Sequence, residues 1–329
     1  MRVAIAVLLA GCFAHHHSDA TADAGDQSMP DATCGGVQLD LSYVPPNMGI
    51  MLDRSCSMKK KLTGTQTTKW QAAVAALDHV LASYATKVRW GLTLFPDITG
   101  DTCTEDPSVF PIADAQSAAI SSLLDASLDD TNQWYPSNPC VTNIDTGVEE
   151  AALDPALHDP GRSSFLMLVT DGAQSSSCDA GGGDTGTEKA IHDLFTQRHI
   201  PTYVIGFGSE VDTAELTTLA NKGGVPSSGP TAYYSADTAA DLDTVFQQIA
   251  NQVISCTYAV DQTPPDLDQT YVFFQQTELV PRDTGHTMGW DFDPAAMTLT
   301  LYGTYCDRLK DLSVTQMNVV FGCPSPPIL

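Results

Sequence analysis

The stretch that decides the fold is Met48-Gly49-Ile50-Met51-Leu52-Asp53-Arg54-Ser55-Cys56-Ser57-Met58. Its first half is a short, uninterrupted apolar run, which predicts a buried strand. Its second half alternates one carboxylate with two hydroxyls, at Asp53, Ser55 and Ser57. Ligands bind where the strands of open α/β sheets end, and such hard oxygen donors suit Mg²⁺ or Ca²⁺. The polar half also fits an ordinary turn whose Ser and Asp side chains cap the next helix.

Two further segments carry polar residues of the same kind. A second apolar run, Phe165-Leu166-Met167-Leu168-Val169, ends in Thr170-Asp171-Gly172. Between the two apolar runs, a helical pattern opens with Thr142-Asn143-Ile144-Asp145-Thr146-Gly147. With these segments the chain resembles the von Willebrand factor A family, over roughly residues 37–256.

The resemblance implies a metal-ion-dependent adhesion site, which the family builds from Asp-x-Ser-x-Ser, a Thr and an Asp on three separate loops. Carried over residue by residue, the five predicted ligands are Asp53, Ser55, Ser57, Thr142 and Asp171. Thr142 is preferred to Thr146 because, like the family's Thr, it lies five residues before a Gly, here Gly147. The chain departs from the family at Cys56, where Gly is usual, and at Asn138-Pro139-Cys140, which replaces a Gly-rich approach to the Thr.

Strands and helices alternate along residues 34–256. This alternation predicts a doubly wound α/β unit, with a mostly parallel sheet flanked by helices on both faces. Beyond Cys256 the apolar runs become short and are separated by Pro, Gly and Asp. In the run from Met297 to Tyr302, apolar and polar residues alternate, as in a half-buried antiparallel strand. Residues 257–329 are therefore predicted to form a small antiparallel β appendage.

The charge of the chain excludes some classes of partner. Fifteen basic residues face 40 acidic ones, which gives a formal net charge of −25. Nucleic-acid binding proteins carry a basic footprint, so we expect no nucleic-acid partner. An acidic surface also repels anionic lipid headgroups, so contact with a membrane would need a separate anchor.

The beginning of the sequence indicates such an anchor. Met1-Arg2 is followed by a short apolar run and then by Leu9-Ala10-Gly11-Cys12, which resembles a bacterial lipobox. The resemblance implies a signal peptide over residues 1–11, lipidation of Cys12 and a location in the cell envelope, at the outer membrane if the cell is Gram-negative. The polar, acidic composition of residues 12–33 predicts a flexible tether.

Eight cysteines remain after Cys12, and an even number in an exported chain predicts disulfide bonds. Cys34 and Cys256 lie at the two ends of the α/β unit, and Cys306 and Cys323 flank the last β segment. The remaining four cysteines lie on loops near the predicted metal site. We therefore predict the pairs Cys34–Cys256, Cys306–Cys323, Cys103–Cys140 and Cys56–Cys178.

Two loops near the predicted site have several interpretations. The loop over residues 96–107 contains Asp97, Asp101, Glu105 and Asp106, and its composition favours a solvated surface loop over a second cation site. The long loop before Cys140 contains Trp134 and Tyr135. These aromatic residues either contact a partner or cover the loop's own small core.

Together these patterns favour a binding module and not an enzyme. A divalent cation, Mg²⁺ or Ca²⁺, would bind a protein or glycan partner by coordinating a carboxylate of that partner. One alternative is a metal-dependent hydrolase, in which the metal activates water and Asp171 or Asp145 acts as the base. The sequence contains neither an H-E-x-x-H nor a G-x-S-x-G motif. Another alternative is a metal-free structural scaffold of the envelope.

Overall fold

The computed structural model describes residues 37–38, 41–98, 103–175, 183–310, 313–314 and 316–322. The predicted signal peptide, lipidation site Cys12 and tether lie outside the described residues. In the described part of the chain, no helix combines the length and the apolar character that crossing a membrane requires.

The secondary structure follows the predicted alternation. The strands are β1 (Val37–Gln38), β2 (Leu41–Tyr43), β3 (Asn47–Asp53), β4 (Arg89–Phe95), β5 (Phe110–Ala113), β6 (Ser164–Thr170), β7 (Thr202–Phe207), β8 (Tyr234–Ala236), β9 (Thr257–Val260), β10 (Thr270–Phe274), β11 (Glu278–Val280), β12 (Gly289–Asp293), β13 (Thr298–Tyr302) and β14 (Met317–Phe321). The α-helices are α1 (Lys69–Ser83), α2 (Ser117–Ala126), α3 (Ile144–Ala151), α4 (Gly183–Arg198), α5 (Thr213–Lys222), α6 (Ala239–Val253) and α7 (Thr304–Lys310).

A six-stranded sheet forms the centre of the first unit, in the order β5-β4-β3-β6-β7-β8. All neighbouring strands in it are parallel except the edge strand β5, which runs antiparallel to β4. Strand β3 lies between β4 and β6, and all of its residues are buried. The prediction of a doubly wound, mostly parallel sheet is confirmed.

Helices cover both faces of this sheet and bury separate apolar cores. Helices α1, α2 and α6 contribute to the core on one face, and α3, α4 and α5 to the core on the other. Successive side chains of β3 alternate between them, with Ile50 in the first core and Met51 in the second. A strand that is buried on both faces needs an unbroken apolar run, which is what its sequence shows.

The remaining strands form two antiparallel four-stranded sheets, in the orders β1-β14-β10-β11 and β12-β13-β9-β2. They share a third apolar core, which includes Phe274, Trp290 and Leu299. The predicted antiparallel strands beyond residue 256 are therefore present. Strands β1 and β2 lie within the segment assigned from sequence to the α/β unit, yet they pair with β14 and β9. The second unit is thus built from the chain segments that precede and follow the first unit.

The disulfide bonds differ from the predicted pairs. The structure contains Cys56–Cys140, with Cα atoms 4.8 Å apart, and Cys256–Cys306, with Cα atoms 5.5 Å apart. Each predicted pair contains one of these four bonded cysteines with a different partner. The pairs Cys34–Cys256, Cys306–Cys323, Cys103–Cys140 and Cys56–Cys178 are therefore wrong.

The physical reason is that position along the chain does not determine which thiols meet. Cys256 lies next to β9 and Cys306 lies in α7, and both contact the core of the second unit. Cys56 and Cys140 lie on loops that meet at one end of the central sheet. Cys103 is also disulfide-bonded. Cys34, Cys178 and Cys323 lie outside the described residues.

Candidate metal centre

Two buried carboxylates lie where neighbouring central strands end. Asp53 is the last residue of β3, and Asp171 directly follows β6. The two strands are parallel, with Leu52 opposite Val169, so the carboxylates leave the sheet side by side. Asp53 is 0% exposed and Asp171 is 3% exposed. Their position fits the general rule that α/β sheets bind ligands at the carboxyl ends of their strands.

Hydrogen bonds connect these carboxylates with the two predicted serine ligands. Ser57 Oγ donates to Asp171 Oδ1 across 2.6 Å, and the hydroxyl oxygens of Ser55 and Ser57 lie 2.8 Å apart. The backbone N–H of Ser55 donates to Asp53 Oδ1 (2.7 Å), and Thr170 Oγ1 donates to Asp53 Oδ2 (2.7 Å). Four of the five predicted ligands thus form one connected cluster.

The fifth predicted ligand, Thr142, lies on an adjoining loop just before α3 and is 7% exposed. Its backbone N–H donates to Ser175 Oγ (2.8 Å), and the backbone N–H of Ser175 donates to the Thr142 carbonyl oxygen (2.9 Å). Cys140, two residues before Thr142, is bonded to Cys56, which lies between the two serine ligands. A covalent bond therefore ties the Thr142 loop to the serine loop.

Cys56 does not disturb the serine loop, although the family usually has Gly at this position. Its backbone does not adopt the positive φ that favours glycine. Ser57, the next residue, still reaches Asp171. The departure from the family pattern therefore replaces a glycine by a crosslink and leaves the polar cluster intact.

The electrostatics of the cluster favour a bound cation. Burial, and after it the neighbouring Asp171 carboxylate, raise the pKa of Asp53 to about 7. The two carboxylates and the two serine hydroxyls of the cluster are hard oxygen donors of the kind that Mg²⁺ and Ca²⁺ prefer, so the residues present fit such an ion. The cluster contains only two carboxylates, and among the described residues no group of three or more His, Cys, Asp or Glu side chains is placed to hold a metal.

A buried lysine already provides one positive charge at this cluster. The Lys69 ammonium lies 2.7 Å from Asp171 Oδ2, and the two side chains are 5% and 0% exposed. Lys69 is the first residue of α1. A basic residue in the first turn of a helix is disfavoured by the helix dipole, so this position already suggests a specific partner. Sequence reasoning did not identify it.

Arg54 links the loops around the site through hydrogen bonds to their carbonyl groups. Its side chain is 1% exposed, and Nη1 donates to the carbonyl oxygens of Pro96 (2.6 Å) and Asp97 (2.8 Å). Nη2 donates to the carbonyl oxygen of Asn138 (2.7 Å). Because the planar guanidinium has five donors in a fixed geometry, it can bind several carbonyl groups at once. It joins the loop after β4 to the loop that leads to Thr142.

The acidic loop predicted to be solvated is buried in part. Glu105 is 9% exposed, its Oε1 accepts from Asn143 Nδ2 (2.8 Å), and its Oε2 accepts from the backbone N–H of Asp97 (2.7 Å). Burial raises the pKa of Glu105 to about 8. Asp97 is buried as well, whereas Asp106 is exposed. Glu105 therefore supports the residue that follows Thr142, a role that loop composition cannot reveal.

Gln174 supports the same segment from the other side. Its Oε1 accepts from the backbone N–H groups of Ile144 (2.7 Å) and Asp145 (3.0 Å), so it satisfies donors at the start of α3. Its Nε2 donates to Asp145 Oδ1 (2.9 Å). Asp145, the alternative candidate for a catalytic base, is 1% exposed and accepts this hydrogen bond from Gln174.

The structure places the aromatic residues of the long loop against a main core, whereas the second interpretation expected a small core of the loop itself. Trp134 and Tyr135 are half-buried and pack against the core that α1, α2 and α6 share. Their carbonyl oxygens lie 3.4 Å and 3.3 Å from nitrogens of the Arg54 guanidinium. The loop therefore packs against this core and is also held by the Arg54 guanidinium.

Comparison with known proteins identifies one family. The model of the von Willebrand factor type A domain matches residues 47–248, which is more than half of the chain. This range contains all five predicted ligands. A comparison with curated protein sequences finds no match.

Several solved structures are similar to the chain. Proximal thread matrix protein 1 from the mussel byssus, with a zinc-occupied MIDAS motif, is 16% identical and has a TM-score of 0.46. The alignment covers 66% of this chain and 50% of the mussel chain. The pilus adhesin SpaC from Lactobacillus rhamnosus GG is 14% identical, with a TM-score of 0.48 and coverage of 85% and 40%. The manganese-loaded TRAP protein of Plasmodium vivax is 15% identical, with a TM-score of 0.44 and coverage of 64% and 77%. The chain spans about half the length of the mussel protein.

Proposed function

The chain belongs to the von Willebrand factor type A domain family, and we propose that it is a cation-dependent binding module of the cell envelope. The observation that supports the proposal is the connected cluster of Asp53, Ser55, Ser57 and Asp171 at the ends of β3 and β6. With Thr142 these residues would hold Mg²⁺ or Ca²⁺, which supplies a positive charge for a partner carboxylate.

The charge of the chain supports a partner that carries a carboxylate. A protein with a net charge of −25 repels an acidic ligand at long range. Binding of a carboxylate therefore needs local positive charge, which a bound cation would supply. The partner we propose is a protein or glycan that presents carboxylates.

We propose binding and not catalysis because the described groups around the cluster are already committed to structure. Asp171 accepts from Ser57 and is paired with Lys69, and Asp145 accepts from Gln174. A general base must be within reach of the proton that it abstracts, and these two carboxylates are buried among protein donors.

The lipid anchor belongs to the same proposal. The lipobox Leu9-Ala10-Gly11-Cys12 supports attachment of the module to a membrane through Cys12. A polar tether over residues 12–33 would then separate the module from the bilayer.

One observation favours the alternative of a metal-free scaffold. The Lys69 ammonium already compensates one of the two buried carboxylates. A lysine placed in this way would allow the domain to fold with no metal present.

Binding of defined carboxylate probes tests the proposal. A poly-glutamate peptide and a uronic-acid glycan would be immobilised and exposed to the purified protein, with Mg²⁺ or Ca²⁺ and then with EDTA. We expect at least one probe to bind only with the cation, and Asp53→Asn to abolish this binding. The variant Asp106→Asn, which removes an exposed acid, is the matched control. Binding that persists equally in EDTA would contradict the proposal.

A further inference from the structure

Among the described residues, Lys69 is the lysine whose ammonium contacts a predicted ligand, and its side chain is only 5% exposed. It lies at the start of α1, which a capping box between Thr68 and Gln71 fixes in place. Its backbone N–H donates to the carbonyl oxygen of Lys60 (2.9 Å). The start of the helix is thereby tied to the end of the serine loop.

The chain also makes room for the lysine side chain at the end of β7. Gly208 follows this strand and has a φ of +93°. A Cβ atom added at Gly208 would lie 2.8 Å from Cε and 3.2 Å from Nζ of Lys69. The lysine stem therefore runs against bare backbone, and its ammonium group reaches Asp171 between the ends of β6 and β7.

Both oxygens of Asp171 are occupied in this arrangement. Oδ1 accepts from Ser57, and Oδ2 faces the Lys69 ammonium at 2.7 Å. Asp53, the other buried carboxylate, receives only uncharged donors, from Ser55 and Thr170. The positive charge is thus directed at one of the two carboxylates.

We propose that Lys69 is an internal counter-ion that competes with the divalent cation for Asp171, so that the domain folds without metal and binds it more weakly than its ligands alone would allow. This inference rests on the proposed function, because it assumes that the five predicted ligands hold a cation. An ammonium group and a divalent ion repel each other, and this repulsion is strong where water is excluded. A buried carboxylate without a compensating cation is costly, so Lys69 would stabilise the metal-free fold.

The proposal predicts opposite changes in metal affinity and in metal-free stability. Lys69→Met removes the charge and keeps the length of the stem. We expect it to tighten Mg²⁺ or Ca²⁺ binding on the order of tenfold or more. We expect the same variant in EDTA to melt at a lower temperature than the parent. We also expect added metal to raise the melting temperature of the variant by more than it raises that of the parent.

Calorimetric titration with each metal alone, and thermal melts with EDTA or with metal, test this prediction on the full chain. Lys60→Met is the matched control, because Lys60 is an exposed lysine near the same cluster that pairs with Glu210. We expect its metal affinity to change less than threefold. Lys69→Gln, which keeps an N–H donor towards Asp171, replaces Lys69→Met if the latter does not fold.

The outcomes separate this inference from the proposed function. If the parent binds metal and neither Lys69 variant binds it more tightly, the counter-ion role is wrong and the metal site stands. If neither the parent nor the Lys69 variants bind metal, both proposals fall. If a Lys69 variant binds metal that the parent does not bind, the counter-ion role is supported and the proposed cation-dependent binding by the parent is wrong.

Discussion

Ser57 Oγ donates to Asp171 Oδ1 across 2.6 Å, although 114 residues separate the two in the chain. Ser57 lies on the loop after β3 and Asp171 on the loop after β6, so this hydrogen bond joins the two sequence segments that carry most of the predicted ligands. The parallel pairing of β3 and β6 brings them together, since it places the carboxyl ends of both strands at one edge. The candidate site is therefore a consequence of the sheet order.

Arg54 should be essential for the loops that surround the site. Lysine has a single ammonium group and cannot reach the carbonyl groups of Pro96, Asp97 and Asn138 together. We expect Arg54→Lys to lower the free energy of unfolding by about 2 kcal/mol or more. Chemical denaturation measures this change, with Arg198→Lys at an exposed position as the control. Equal stability of the two variants would show that the arginine does not hold these loops.

The disulfide Cys56–Cys140 should matter for the metal site as well as for stability. Replacing both cysteines by serine releases the Thr142 loop from the serine loop. We expect a loss of about 2 to 5 kcal/mol in unfolding free energy, together with weaker Mg²⁺ or Ca²⁺ binding.

The second described disulfide provides the control for this experiment. Cys256–Cys306 lies against the core of the second unit, away from the predicted ligands. Its double serine variant should lose stability and keep the metal affinity of the parent. Equal losses of metal affinity in the two double variants would contradict a specific role for Cys56–Cys140.

Glu105 should make stability fall as the pH rises. Burial, with a smaller effect of the Asp97 charge, raises its pKa from 4.5 in the unfolded chain to about 8. The hydrogen bonds from Asn143 and from the Asp97 backbone, and after them the Arg54 charge, oppose this rise. Between these two pH values the folded protein binds more protons than the unfolded chain, so protonation of Glu105 favours folding and deprotonation opposes it. The stability associated with this group is present below pH 4.5 and is lost as the pH approaches 8.

The variant Glu105→Gln isolates this effect from the other acids. As the pH rises from 5 to 8, the parent should lose unfolding free energy relative to the variant, by at most about 1.4 kcal/mol per pH unit. Chemical denaturation of both proteins at several pH values measures the difference. A difference that stays constant with pH would show that Glu105 titrates normally.

The proposed lipid anchor predicts where the native protein is found. If Cys12 is acylated, native protein should appear in the membrane fraction and should begin at Cys12, because buried acyl chains hold it there. Cys12→Ser should move the protein to the soluble fraction without changing its fold. Mass spectrometry of the mature amino terminus measures this directly, and an intact Met1 on native protein would contradict it.

Much of the fold could be predicted because its signals are local. The apolar runs that became β3 and β6 stand out in the sequence, and each ends in the polar residues that form the site. The short strands β1 and β2 have only a modest strand signal, over Val37 to Leu41. Their partners β14 and β9 lie more than 200 residues away, so their place in the second unit depends on tertiary pairing.

The supporting residues of the site could not be predicted for a related reason. Lys69, Arg54 and Glu105 belong to residue types that are usually exposed, and only the folded chain shows that they are buried. The cysteine pairs were predicted from positions along the chain, whereas bonding depends on which loops meet. The family pattern identified Asp53 and Asp171, of which the first ends and the second directly follows a strand that stands out in the sequence.

Metal titration of the purified protein tests the central claim most directly. After treatment with EDTA and its removal, calorimetry with Mg²⁺ and with Ca²⁺ should show one site for at least one of the ions. Asp53→Asn and Asp171→Asn should each weaken binding about a hundredfold or more, because each removes a charged ligand. Asp106→Asn should bind like the parent. Folded parent protein that binds neither ion at millimolar concentration would contradict the account and leave a metal-free scaffold in its place.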